Sequence, residues 1–160
     1  MPAGSSHGAG RETGPVSLPH TWRPLGVRIA FAGLFGMLAA VVAFAWFSFD
    51  AETRAAFTPF QIATLVALGL LAVSLGFALA RSRVVAEPDK LVVVNGYRRR
   101  EYDYAAVVDA SLAPGAPWVT LDLDDGTTAS AMGIQGSDGA RAQSALRELR
   151  AVLASASPSA

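Results

Sequence analysis

Two apolar runs constrain this chain more than anything else in it. The first, Ile29–Phe49, holds no ionisable side chain and one hydroxyl, Ser48. The second, Pro59–Ala80, is interrupted only by Gln61, Thr64 and Ser74. At about 1.5 Å of rise per residue each covers roughly 30 Å as a helix, the thickness of a bilayer's hydrocarbon core. In lipid the backbone amides must be satisfied within their own segment, so an isolated run of this kind is a helix. A soluble core able to bury two such helices needs more apolar partner surface than the rest of a 160-residue chain supplies. The pattern predicts a transmembrane helical hairpin over 25–80, with helices at about 27–49 and 59–80. A composition of 52% apolar and 16% charged residues tilts the same way.

The flanks orient the hairpin. Arg23 and Arg28 precede the first run and Arg81 and Arg83 follow the second, whereas the loop Asp50–Thr58 sets Asp50 and Glu52 against Arg54. Positive flanks stay in the cytoplasm, so the expected localisation is the cell membrane, multi-pass with two helices and both termini cytoplasmic. The first run is too long for a signal peptide and no small-residue cleavage site follows it, which makes it an anchor. Thr58-Pro59 offers a capping hydroxyl followed by a residue that needs no amide. Small residues recur at every fourth position, Ala32, Gly36 and Ala40 in the first helix and Ala72, Gly76 and Ala80 in the second. They are candidate helix-packing positions, within the hairpin or between copies. No charged group lies at membrane depth, which counts against a transporter or channel.

Residues 1–24 mix Gly, Ser, Pro and Thr with scattered charges and read as a disordered N-terminal tail. His7 and His20 fall there without carboxylate or cysteine company, so no metal site is expected. Cysteine is absent, which excludes disulfide and thiolate chemistry. With 13 basic and 13 acidic residues the net charge is zero, and nucleic acid is not an expected partner.

After Arg81 the period changes to two. Arg83–Ala86, Leu91–Val94, Tyr97–Tyr102, Ala105–Leu112, Trp118–Leu123 and Thr127–Met132 read as six short strands separated by turns. Asn95-Gly96 suggests a two-residue type I′ loop. Ala142, Ala145, Leu146, Leu149, Val152 and Leu153 form one stripe of a closing helix, with Asp138 as its expected cap. The fold class expected is therefore α+β: a membrane hairpin, then a small antiparallel β-sandwich or barrel over 81–154, then a tail at 155–160.

Few motifs suggest chemistry. Arg98-Arg99-Arg100 is the one basic cluster, but alternation in a strand puts Arg98 and Arg100 on a face with Tyr102 and turns Arg99 away. Charges on a strand also discourage edge pairing. Gly133–Gly139 precedes a helix, where phosphates often bind, yet no Gly-Lys-Ser/Thr follows and Asp138 sits where the anion would lie. Asp122, Asp124, Asp125 and Gly126 echo a calcium loop without its spacing or its glutamate, and read as a hairpin turn. No nucleophile–base pair is visible, so neither an enzyme nor a cofactor is expected.

The segment from Arg83 to Leu153 resembles the bacterial PH-like family called the low-molecular-weight protein antigen 6 PH domain. The resemblance rests on Val84-Val85-Ala86, Leu91–Asn95 and the arginines that follow. It continues through Pro117-Trp118-Val119, Leu121, Asp125-Gly126, Gly133-Ile134-Gln135, and Asp138-Gly139 with Arg141-Ala142. It implies two packed sheets closed by a C-terminal helix, behind one or two membrane helices, and is nearly silent on activity. Tyr104 stands where such domains tend to carry tryptophan, and six strands are visible of the usual seven. Phosphoinositide-binding PH domains place basic residues around the first strand–strand loop. Here that loop reads as the short, acidic Glu87-Pro88-Asp89-Lys90, so inositol-lipid recognition is not carried over. The expected function is a non-enzymatic, membrane-anchored interaction or scaffold module whose partner is a protein or a second copy. The alternatives are anionic-lipid headgroup binding through Arg98, Arg100 and Arg83 beside Tyr102, or a small subunit of a membrane complex.

Overall fold

The structure is a computed structural model that describes residues 16–156. His7, with the rest of the tail before residue 16, and residues 157–160 lie outside the described residues. Among the described residues, seven strands form two antiparallel sheets. The first has the order β1 (His20–Trp22), β2 (Arg83–Ala86), β3 (Lys90–Asn95) and β4 (Arg98–Asp103). The second runs β5 (Val107–Ser111), β6 (Trp118–Leu123) and β7 (Thr128–Gln135). Helix α1 (Leu25–Ser48), the short α2 (Ala51–Ala56) and α3 (Pro59–Ala80) are inserted between β1 and β2, and α4 (Ala140–Ala156) ends the chain.

Strand β1 corrects the sequence reading. A disordered tail was expected through residue 24, yet His20, Thr21 and Trp22 pair antiparallel with Ala86, Val85 and Val84. Trp22 is buried in the common core, and its indole Nε1–H donates to Glu148 Oε2 of α4 at 2.9 Å. The seventh strand thus comes from the far side of the helix pair. Both ends of the α1–α3 excursion leave the same sheet as neighbours.

The core is the period-two pattern folded inward. Val84 and Ala86 of β2, Leu91 and Val93 of β3, and Val119 and Leu121 of β6 meet Leu146, Leu149 and Val152 of α4. The six apolar positions anticipated for the closing helix are all buried. Its anticipated cap is not there: Asp138, in a 3-10 turn, accepts from the backbone N–H of Leu25 at 3.0 Å and of Gly26 at 2.8 Å. The carboxylate therefore caps α1, meeting two of the amides a helix leaves unsatisfied and the positive end of its dipole.

Both α1 and α3 are long and apolar enough to cross a membrane, and neither has a buried residue. Thr58 and Gln61 form the reciprocal capping box at the start of α3. Six residues of the expected loop form α2, capped by Asp50 accepting from the Thr53 N–H at 2.7 Å.

The small-residue stripes have different fates. On α3, Ala72, Gly76 and Ala80 are half-buried, and a Cβ on Gly76 would collide with the rings of Phe31 and Phe35. On α1, Ala32, Gly36 and Ala40 are exposed and a Cβ on Gly36 would meet nothing within 4 Å, so this stripe takes no part in the contact within the hairpin. Aromatic rings, not small residues, are what α1 offers to α3. Gly76→Leu is expected to cost about 1–3 kcal/mol in a detergent unfolding titration, as overpacking does, while Gly36→Leu costs nothing measurable. Equal effects of the two would refute this helix pairing.

Candidate functional site

The site begins at the β3–β4 turn. Asn95 pairs with Arg98, so the two loop residues are Gly96 and Tyr97, and only Gly96 has positive φ, at 59°. A glycine leading the loop is the type II′ pattern, not the I′ turn anticipated from Asn95-Gly96. The shift frees Asn95 for another task. Its Nδ2 donates to the Ser130 carbonyl at 2.6 Å and its Oδ1 accepts from the Met132 N–H at 3.0 Å, stitching β3 to the outer strand β7.

The tip of this turn is fastened to α3. The Gly96 N–H donates to Ser82 Oγ at 2.9 Å, and Ser82, fully buried, donates to the Ala78 carbonyl at 3.2 Å. The Tyr97 hydroxyl donates to the Ser74 carbonyl at 3.0 Å and lies 2.8 Å from Ser74 Oγ. A Cβ on Gly96 would stand 3.3 Å from that of Ala78. The turn therefore rides along the last two turns of the apolar helix.

Between this turn, β4 and β7 opens a cleft of about 680 Å³. Arg98, Arg100 and Tyr102 of β4 form one wall, Thr128, Ser130 and Met132 of β7 the other, and Leu75 and Leu79 of α3 close one end. Three of the four ligand candidates read from the sequence thus meet here. Arg83 does not: it lines a separate cleft with Arg23, Arg28 and Arg81. Among the described residues no carboxylate lies within salt-bridge distance of Arg98 or Arg100. Arg99 points elsewhere and pairs with Glu101 at 2.7 Å, and Glu101 also binds Lys90 at 2.8 Å. The hydrogen bond from Lys90 holds the Glu101 carboxyl below its ordinary range and raises Lys90 in return. This exposed network neutralises the outer face of β4 and leaves the positive charge on the cleft side.

The arrangement of a four-stranded and a three-stranded sheet closed by a helix coincides with a family match: residues 81–151 match the model described as Bacterial PH domain. Residues 81–151 are a bacterial PH domain. No curated protein matches the chain, and neither does any solved structure. The matched segment holds six strands and most of α4, so this PH domain draws its remaining strand from outside the match. Tyr104, at the tryptophan position of the resemblance, is buried and donates its hydroxyl to the Glu87 carbonyl at 2.5 Å. Burial also raises its phenol above the ordinary value.

Sequence reasoning missed Trp22 and Asp138 as the residues joining the PH domain to its helices. Among the described residues no group of three His, Cys, Asp or Glu side chains is placed to hold a metal, and His20 lies tilted against the Trp22 ring with Glu148 3.7 Å away. What the cleft offers chemically is two arginines, a phenol and the outer strands of two sheets. Such a set is suited to anions and extended chain.

Proposed function

We propose that this chain is a non-enzymatic, membrane-anchored interaction module. In this reading α1 and α3 cross the bilayer, both termini are cytoplasmic, and the PH domain is held against the inner leaflet. One observation carries it: the first sheet is built from chain on both sides of the helix pair, so the helices leave and re-enter the domain through adjacent strands. Phe44, Phe47 and Phe60 are 75–81% exposed on those helices. Contiguous apolar surface of that kind marks contact with something other than water, and hydrocarbon accepts it on all sides. Arginines surround the end attached to the sheet, which favours the cytoplasm for that end.

The ligand of the Arg98–Arg100–Tyr102 cleft is a protein segment, from a partner or a second copy. An extended segment finds an outer strand on either side, and acidic side chains find two arginines without carboxylate partners. A second reading, contact with anionic headgroups, is favoured by the Gly96-Tyr97 turn lying roughly 3–9 Å back along α3 from Ala80. At that depth arginines and tyrosine meet the headgroup layer.

One experiment separates the two. A photo-crosslinking residue in place of Thr128, in the full-length protein in its native membrane, is expected to yield a discrete protein adduct. Arg98→Ala/Arg100→Ala should reduce that adduct at least tenfold. Lipid adducts alone, with the same arginine dependence, would establish the second reading instead. Adducts indifferent to both arginines would remove the cleft from consideration.

A further inference from the structure

The second cleft is where the arginines expected merely to flank the membrane helices converge. Arg23 comes from the link between β1 and α1, Arg28 from the first turn of α1, Arg81 from the C-cap of α3 and Arg83 from β2. Together with Phe31 and Phe77 they line a cleft of about 350 Å³. No acidic residue lines it, and among the described residues none of the four guanidinium groups has a carboxylate within 4 Å. The nearby Asp138 is committed to the amides of Leu25 and Gly26. Arg81 is held in place by two rings, its guanidinium carbon lying 5.9 Å from the Phe77 centroid and 5.6 Å from that of Tyr97.

Four like charges drawn to one cleft repel, and an arrangement that fixes them without a counter-charge is completed by an anion. Guanidinium forks match phosphate oxygens bidentately. The walls narrow the class of anion further. Phe31 and Phe77 lie on the apolar helices, so the cleft is cationic on its domain side and hydrocarbon-like on its helix side. A free phosphate uses only the first half; a phospholipid uses both, with its phosphate among the arginines and its acyl chains against the aromatic rings. Basic pockets between membrane helices on the cytoplasmic side bind anionic lipid in this way.

We infer that Arg23, Arg28, Arg81 and Arg83 form a site for the phosphate of one anionic phospholipid, seated between α1 and α3 where they meet the PH domain. The site is distinct from the Arg98–Arg100 cleft and rests on the reading that α1 and α3 span the membrane. It is a saturable site, whereas flanking charge alone attracts anionic lipid diffusely and is screened by salt.

The test uses full-length protein, purified in mild detergent and stripped of lipid, with bound lipid counted by native mass spectrometry. Added phosphatidylglycerol is expected to give one retained molecule per chain, at least tenfold favoured over phosphatidylcholine. Arg28→Gln/Arg81→Gln should lower that retention at least tenfold, and Arg98→Gln/Arg100→Gln should leave it unchanged. Equal retention of the two lipids, or no loss in the Arg28/Arg81 variant, would overturn the inference. Stoichiometric binding of inorganic phosphate without lipid selectivity would assign the site to a soluble anion and overturn it as well. A variant that melts with the parent protein rules out misfolding as the cause of any loss. A chain that stays dissolved without detergent refutes the membrane reading itself; one that needs detergent yet shows no lipid preference refutes only this site.

Discussion

A polypeptide of residues 81–160 is expected not to fold into a stable PH domain, although it contains the whole family match. It lacks β1, so the edge of β2 is uncovered and the pocket filled by Trp22 is open. Arg23 and Arg81 line one cleft, so the two ends are close and a short Gly/Ser linker can join 16–24 to 81–156. That joined polypeptide is expected to unfold cooperatively in urea. Trp22→Ala within it should cost about 3–5 kcal/mol, as deletion of a buried large aromatic does. Domains of this size hold only about 5–15 kcal/mol in total, commonly near the lower end. Glu148→Ala, which keeps the Trp22 ring but removes the acceptor of its indole hydrogen bond and the carboxylate beside His20, should cost about 1 kcal/mol. Urea midpoints for the fragment, the joined polypeptide and its two variants decide the matter. If the 81–160 fragment melts where the joined polypeptide does, β1 is an ornament and the coupling of domain to helices fails with it.

The reason β1 escaped the sequence reading is physical. Three residues, His20-Thr21-Trp22, are too short to show alternation, and their partner lies beyond both apolar runs. Nothing local marks them; what makes them a strand is the edge offered by β2. Asp138 failed in the opposite way. A carboxylate two residues before a helix is a strong local signal for a cap, but the 3-10 turn aims it at α1, so a tertiary contact displaced a local one. Features that depend on one segment alone were legible. The Thr58 cap of α3, the Arg98/Arg100/Tyr102 alternation and the apolar stripe of α4 all follow from spacing within a few turns. Arg83 sits in the same sheet as Arg98, but it joins the arginines of the helix ends because β2 begins where α3 stops. Grouping charges into sites needs the topology, which alternation does not supply.

Gly133→Ala is the second substitution with a large expected effect, and it connects the fold to the cleft. β7 is irregular here: Val119 pairs with Ala131 but Trp118 with Gln135, so the strand gains extra residues around Gly133 and bends toward the first sheet. At the bend Gly133 presses on β2, and a Cβ there would overlap the backbone of Arg83 and Val84. A side chain can rotate out of a collision; two backbones in separate sheets cannot. The alanine is therefore expected to cost about 3 kcal/mol, the upper end of ordinary overpacking. Relief requires β7 to move off β2, and the neighbouring Met132 N–H then leaves Asn95 Oδ1. The wall of the Arg98–Arg100 cleft formed by Thr128 and Ser130 shifts with it. Gly69→Ala is the control, since a Cβ there meets nothing within 4 Å and alanine suits a helix better than glycine. In detergent unfolding titrations Gly133→Ala should lose stability while Gly69→Ala holds or gains. In the photo-crosslinking assay at Thr128, Gly133→Ala should lose the arginine-dependent adduct even at temperatures where the protein remains folded. A Gly133→Ala protein that matches its parent in both measurements would mean that β7 and β2 do not touch at this residue, and that the cleft is not braced from behind.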